Sequence, residues 1–338
     1  MNVFGKNDYT GTLGVIKKFP KDTIKTDYES DIRKKERIEN NLEYYKYKFF
    51  YGHIVHDKIF VIDDEYIWLG SCNISSTDSG GYNENMVEVI KSKGLAKYFK
   101  AEFSQMYDKG YFHQDKSEIY SKEPVILDDN TKVYLYFSPS YKALYEGIIP
   151  RINLAQKRIY ISMFLITEKN IVDALINAKK RGVDVKLIIE ANHAGEKYSK
   201  HEILRQAEIP VKVENWGGKM HSKAAIIDDH CFISSSTNWT SSAFEYNDEN
   251  LLAFDNLPQK TVNKLIIEFN KSYNSIPEEW LHGVPKAESP DSIGSCNDGI
   301  DNDHDRLIDM DDPDCAGFKS NKRVKYDYQR VQPHPKVD

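Results

Sequence analysis

Two stretches of this chain repeat one polar pattern at a constant offset of 165 residues. HDKIFVIDDEYIWLGSCNISSTDSGGYNENMVEV begins at His56, and HSKAAIIDDHCFISSSTNWTSSAFEYNDENLLAF begins at His221. Aligned without a gap, His56 meets His221, Lys58 meets Lys223 and Asp63 meets Asp228. Further on, Asn73 meets Asn238 and Glu84 meets Glu249. The apolar positions between them are similar but mostly not identical. Shared chemistry explains that pattern better than shared packing does. A repeat of this size predicts two related halves facing each other across a pseudo-twofold axis.

The coarse structure of the copies agrees. Ile59 to Ile62 and Ala224 to Ile227 are short apolar runs suited to buried strands. A two-Asp turn follows each, then a second strand at Tyr66 to Leu69 or Cys231 to Ser234. A loop rich in Ser, Thr and Asn leads to third strands at Met86 to Ile90 and Leu251 to Phe254. Ahead of the second copy, strands at 132–137, 158–165, 183–189 and 211–214 alternate with helices at 141–155, 169–181 and 201–207. A helix over 261–273 closes the unit. Alternation of this kind predicts an α/β fold, with mixed sheets flanked by helices. The first copy has room only for a charged helix over Asp27 to Asn41 and a strand over Tyr47 to Tyr51, so it reads as an N-terminally incomplete half.

H-x-K-x4-D with Asn at +17 and Glu at +28 suits phosphodiester chemistry. A neutral His can attack phosphorus, and a charged one can protonate a leaving oxygen. Two Lys and two Asn can donate to the non-bridging oxygens. A carboxylate beside each imidazole would fix its tautomer, a role open to Glu84 and Glu249. His56 and Lys58 are two apart, as are His221 and Lys223, so on strands each pair projects from one face. Cys72 and Cys231 read as packing residues. Trp239 is equally consistent with a pocket rim and with the core.

These two segments resemble the two HKD motifs of the phospholipase D superfamily, over roughly residues 27 to 275. GSCN at Gly70 to Asn73 matches the family's GSxN, and SSTN at Ser235 to Asn238 departs from it at Ser235. The resemblance implies two phospholipase D-like sandwich halves and a covalent phosphohistidine intermediate. It implies His56 as nucleophile and His221 as general acid and base, with no cofactor for catalysis. By the same resemblance, Asp63 and Asp228 mainly hold local structure, and one chain supplies both motifs. The expected substrate is phospholipid at a membrane surface, hydrolysed or transferred to an alcohol. Two other readings stay open. KKRGVDVKLI and NWTSSAFEYNDEN resemble the endonuclease-like branch, which would make nucleic acid the substrate. A non-catalytic, Ca²⁺-dependent surface-binding protein is the third.

The formal charge of −6 is unevenly placed. Glu288 to Cys315 holds ten acidic residues against one basic residue, Arg306, while the tail from Ala316 to Asp338 is basic. The rest is close to neutral, which argues weakly against a nucleic-acid substrate. Within the acidic segment, Asp301, Asp303, Asp305 and Asp309 follow a spacing suited to oxygen ligation of a structural Ca²⁺. The segment resembles DGIDND-type calcium-binding-like repeats, departing from them at His304 and Arg306. Cys296 and Cys315 bracket it. They suit a local disulfide, and hence a secreted or cell-surface location, against the alternative of two free thiols. The chain therefore divides into a first half over 1–120, a second half over 121–284, the acidic Cys-bounded segment over 285–318 and a basic, disordered tail over 319–338. No apolar run approaches transmembrane length, and the first 30 residues carry no signal-peptide pattern.

Overall fold

The structure is a computed structural model that describes residues 54–319. The helix expected over 27–41, the strand over 47–51 and all but the first residue of the tail lie outside the described residues.

The first half contributes β1 (Ile59–Ile62), β2 (Tyr66–Gly70) and β3 (Val87–Lys91), an antiparallel sheet in that order. Helix α1 (Lys93–Tyr107) follows, its first turn capped by Ser92 Oγ, which accepts from the Leu95 N–H. The second half contributes β4 (Val125–Ile126), β5 (Lys132–Ser138), β6 (Arg158–Met163), β7 (Asp184–Ile189), β8 (Val211–Val213), β9 (Lys223–Ile227), β10 (Cys231–Ser235) and β11 (Glu249–Asp255). These form one sheet in the order β4-β5-β11-β10-β9-β6-β7-β8. Only β6–β7 and β7–β8 are parallel, so the sheet is mixed as expected.

Strand alternation divides the core between the two faces of this sheet. Ile159, Ile161 and Met163 point one way, with Ala225 and Ile227, onto the helix α2 (Lys169–Lys180) and its Ile171, Leu175 and Ala178. Tyr160, Ala224, Ile226, Val133 and Leu135 point the other way. There they meet Ile67 and Leu69 of β2, Leu95 and Phe99 of α1, and Phe269 of α3 (Gln259–Ser275). The second cluster joins the halves. Leu69, Leu95 and Phe99 are fully buried, and burying each such side chain stabilises by about 1.5–3 kcal/mol.

The helix expected over 141–155 is not regular. It runs as a π-helical stretch over Ala143–Ile148 and continues as an α-helix over Ile149–Leu154. Pro150 has no N–H to give the Glu146 carbonyl, and the Arg151 guanidinium donates to that oxygen at 3.2 Å instead.

Cys296 and Cys315 form a disulfide, while Cys72 and Cys231 are free and buried. The disulfide closes the acidic segment into an appendage joined to the second half through a bridge between Trp216 and Ile293. No helix among the described residues is long and apolar enough to cross a membrane.

Candidate active site

Both H-x-K sequences lead into strands, His56 and Lys58 into β1 and His221 and Lys223 into β9. Each enters beside the other half. Val55 bridges Asp248, and the His56 N–H donates to the Asp248 carbonyl at 2.9 Å. Met220 bridges Glu84, and the His221 N–H donates to the Glu84 carbonyl at 2.9 Å. Each Lys curls back onto its own His: Lys58 Nζ donates to the His56 carbonyl, and Lys223 Nζ to the His221 carbonyl at 2.6 Å. The result is one buried pair of imidazoles flanked by two ammonium groups.

The His partners depart from the gapless repeat. His56 Nδ1 lies 2.7 Å from Glu249 Oε2, across the halves. Glu84 does not do the same for His221. Its carboxylate instead accepts from Ser272 Oγ on α3, at 3.1 Å. The amide oxygen of Asn85 faces His221 Nδ1, at 3.0 Å. The cause is a loop one residue shorter in the second copy. Gly70 pairs with Val87 and Ser235 with Leu251, so the third strands are related by 164 residues and not 165. Glu249 is therefore the counterpart of Asn85, and Asp248 that of Glu84. One signal was available in the sequence: Tyr82-Asn83 and Tyr246-Asn247 match at an offset of 164.

Asp78, which the sequence reading did not single out, organises the Asn85 side. It accepts from the side-chain amides of Asn73 (2.7 Å), Asn83 (2.9 Å) and Asn85 (2.8 Å), and lies 3.6 Å from His221 Nδ1. Because Asn85 Nδ2 donates to Asp78, its Oδ1 must face His221. Asn73 is thus drawn onto Asp78. Asn238 is part-buried, with its Oδ1 lacking a protein partner. Asp228 is a structural turn residue, accepting from the backbone N–H groups of Gln156, Lys157 and Arg158. Asp63 sits exposed in the matching turn, away from the imidazoles. Trp239 is fully buried in the core, so it forms no rim. Phe164 takes that place, its ring 4.9 Å from the His221 ring and beneath the Lys223 ammonium.

Burial holds His56 below the ordinary imidazole range, with Lys58 and Lys223 pushing the same way and Glu249 opposing them. His221 is held well below that range, first by burial and then by Lys223, while Asp78 opposes. Burial also lowers both lysines. Without substrate, then, both imidazoles are neutral near pH 7. Glu249, which accepts as well from Ser236 Oγ at 2.7 Å, accepts a hydrogen bond from His56 Nδ1–H, and this tautomer leaves Nε2 with a lone pair. Behind His56 lies a buried charge network. Asp248 meets His113 Nδ1 at 2.9 Å and Lys116 Nζ at 2.6 Å, and Lys116 also pairs with Glu102.

Among the described residues, the carboxylates close enough to share a metal lie in the appendage, as two overlapping groups: Glu288, Asp301 and Asp303, and Asp303, Asp305 and Asp312. Asp309 is not among them. Its carboxylate caps the turn by accepting from the Asp298 and Gly299 N–H groups. Asp312 and Glu288, beyond the ends of the recognised spacing, stand in its stead.

Residues 14–107 and 148–273 match a family model described as cardiolipin synthase, PLD-like domain. A phospholipase D of Rickettsia prowazekii is 35% identical over 108 residues, which are 32% of this chain and 53% of that protein. The chain thus spans about half the length of that relative. A mitochondrial cardiolipin hydrolase of Xenopus laevis is 27% identical over 147 residues, 42% of this chain and 70% of that one. Among solved structures, a phosphatidylserine synthase of Haemophilus influenzae has the same fold. Its TM-score is 0.52 at 16% identity, covering 68% of this chain and 65% of that one.

Proposed function

The chain belongs to the phospholipase D-like family, and from that premise we propose that it is a phosphodiesterase acting on phospholipid through a phosphohistidine. The observation that carries this reading is the His56–Glu249 contact across the two halves, with Lys58, His221 and Lys223 beside it.

In the proposed first step, His56 Nε2 attacks phosphorus while Glu249 holds its Nδ1 proton. The P–N bond forms, the bond to the leaving oxygen breaks, and that oxygen takes a proton from His221 Nε2. In the second step, His221 takes a proton from water, whose oxygen attacks phosphorus and frees His56. An alcohol in place of water gives transfer. Lys58 and Lys223 offset the charge on the non-bridging oxygens. A bound phosphate anion offsets the two ammonium groups that depress His221, and so favours its protonated form as acid. No step is assigned to a metal. The relatives named phospholipase D and cardiolipin hydrolase support a lipid substrate. The Cys296–Cys315 disulfide supports an oxidising, secreted or cell-surface location.

The test uses ³²P-labelled phosphatidylcholine, cardiolipin and single-stranded DNA, with label trapped on protein by alkaline denaturation. Turnover of lipid, with label lost in His56→Ala, supports the proposal. Label that persists in His56→Ala but vanishes in His221→Ala reverses the two roles. Turnover of DNA alone makes the chain a nuclease. No turnover of any of the three overturns the enzymatic reading.

A further inference from the structure

Strands β6, β7 and β9 meet the imidazole pair at one edge of the large sheet. Met163, the last residue of β6, pairs with Lys223 of β9 on one side and with Ile189, the last residue of β7, on the other. Phe164 and Glu190 come next in the chain, so both emerge beside the start of β9. Parallel strands such as β6 and β7 present ligands at their carboxyl ends. The Phe164 ring ties the place together. Its centroid lies 4.9 Å from that of His221, 4.3 Å from that of His193 and 4.7 Å from the Lys223 ammonium. One aromatic ring thus touches His221 and a third imidazole, His193, to which the proposed reaction gives no part.

His193 is held by the same device as His56. Its Nδ1 lies 2.6 Å from Glu190 Oε2, and its backbone N–H donates to that oxygen at 2.7 Å. The Glu190 side chain is 1% exposed and that of His193 27%. Burial works against ionisation of Glu190, but His193 and then Lys219 outweigh it and hold the carboxyl below its usual range. Burial and then Glu190 push the Glu214 carboxyl well above its own, so of these two buried acids Glu190 carries the charge. A buried carboxylate on Nδ1 fixes the ring and leaves Nε2 for a ligand.

Lys219 brings a second cation to the same place. Met220 bridges Glu84 and β9 begins at Lys223, so the run between them is extended and alternate residues share a face. Met220 is fully buried in the core that joins the halves, which puts Lys219, His221 and Lys223 in one basic row on the other side. The appendage sets the head of Lys219, whose Nζ lies 2.8 Å from His304 Nε2. Burial and then Lys219 hold His304 below the ordinary imidazole range, so its Nε2 accepts and the remaining ammonium N–H groups are left for a ligand. Beside His193, Asn192 donates to the Asn302 carbonyl at 2.8 Å, which pins the appendage to this loop.

We propose that His193 and Lys219 form a second phosphate subsite beside the imidazole pair, and that the phospholipid substrate carries a second phosphate that binds there. This rests on the phosphodiesterase reading for the place of the first phosphate. In its imidazolium form His193 donates from both nitrogens, to Glu190 and to a phosphate oxygen. Two cationic donors on separate chain segments suit the diverging oxygens of a tetrahedral phosphate. A planar carboxylate is better met by the parallel donors of one Arg. Phe164, in contact with both places, offers an apolar face to the linker between the phosphates. No bond is made or broken in the subsite.

The experiment is isothermal titration calorimetry at pH 6 on the full oxidised chain carrying His56→Ala, which lacks the proposed nucleophile. The probes are water-soluble headgroups: glycerophosphocholine with one phosphate, glycerophosphoserine with a phosphate and a carboxylate, and bis(glycerophospho)glycerol with two phosphates. The two-phosphate headgroup should bind about tenfold more tightly than either of the others, the gain expected of a charged hydrogen bond. Adding His193→Ala or Lys219→Met should bring that ratio toward one. Lys197→Ala, an exposed lysine of the same loop, should leave it unchanged. Equal affinity for the one- and two-phosphate headgroups overturns the subsite, as does a ratio that His193→Ala and Lys219→Met both leave intact. An equal gain for glycerophosphoserine overturns the choice of phosphate over carboxylate. A gain for a dinucleotide with a 5′-phosphate over one without, and none for the lipid headgroup, overturns the lipid assignment. A misfolded variant lowers all affinities together, and Lys219→Met decides if His193→Ala proves to be one. Calorimetry does not measure turnover, so failure of the phosphodiesterase reading stays distinguishable from failure of this one.

Discussion

Asn85 and Glu249 occupy equivalent places in the two halves. Each accepts from a Ser hydroxyl on its own strand end, Ser71 at 2.8 Å and Ser236 at 2.7 Å, and each faces the Nδ1 of the other half's His. One is a neutral amide and the other a carboxylate, so the pseudo-twofold site is chemically asymmetric. Glu249 meets His56 Nδ1 directly and would stabilise positive charge on that ring in the proposed attack, whereas Asp78 stands 3.6 Å from His221 Nδ1 and acts there beside the neutral amide. Glu249→Gln is expected to lower kcat by about 10²–10⁴-fold, the range for losing a group that orients a catalytic imidazole. Glu84→Gln is expected to stay near wild type, since Glu84 reaches Ser272 and not a His. Steady-state kinetics on the two variants decides which Glu serves the site. Because Glu249 raises the His56 pKa, its removal should also move the acid limb of the pH profile to lower pH.

Asp78 acts on His221 both directly and through Asn85. Burial works against its ionisation, but His221 and the amides of Asn85, Asn83 and Asn73 outweigh burial and hold its carboxyl below the usual range. Its negative charge in turn raises His221. Asp78→Asn removes that charge and leaves Asn85 free to turn its amide. If His221 must be protonated to act as acid, the basic limb of kcat should move to lower pH, with KM changing less than kcat. A uniform fall in activity with an unchanged pH profile would reduce Asp78 to a purely structural role.

How much of this was legible follows from which residues repeat. His56, Lys58, His221 and Lys223 lie ahead of the loop, where the offset of 165 holds, and the structure brings them together. Past the loop the offset is 164, and the identity of Glu84 with Glu249 misleads because Asn85-Met86 and Asn250-Leu251 continue the false register. Asp78 could not be found by the repeat, because its place in the second copy falls on Ala243 at an offset of 165 or on Ser242 at 164. The acidic segment failed differently. An alternating Asp spacing describes oxygen donors along a loop, but it cannot tell a carboxylate that caps backbone N–H groups, as Asp309 does, from one turned into a cluster, as Asp312 is.

The two imidazoles also set a pH dependence of stability. Both are lowered from 6.5, first by burial, so below that pH the unfolded chain binds protons that the folded chain refuses. Their contribution is complete above about pH 6.5 and is lost progressively as pH falls toward the depressed folded values. Several buried carboxyls titrate in the opposite sense, so the useful quantity is a difference. Between pH 8 and pH 5, the stability of His56→Ala/His221→Ala relative to wild type should rise as pH falls. A difference that stays flat in urea denaturation across this range would mean that neither imidazole is held neutral.

Behind His56, Asp248 and Asp57 are both buried carboxyls, and they should respond in opposite ways to loss of charge. Asp248 is paired with Lys116 and His113, and its backbone docks His56. Asp248→Asn leaves the buried Lys116 short of a partner and should cost about 3–5 kcal/mol. Asp57 has no such pairing. Its Oδ1 accepts from Asn250 at 2.7 Å, its Oδ2 is buried without a partner, and burial pushes it up to about 7 against the pull of Lys116. A carboxyl whose folded pKa is raised contributes its stability at low pH and loses it as pH rises through the folded value. Asp57→Asn removes that dependence. Relative to wild type, the variant should gain stability as pH rises from about 4 to about 7, and the difference should level off above that. Urea denaturation at pH 5, 6 and 8 checks this. A difference between variant and wild type that is the same at all three would show that Asp57 is held ionised in the folded chain.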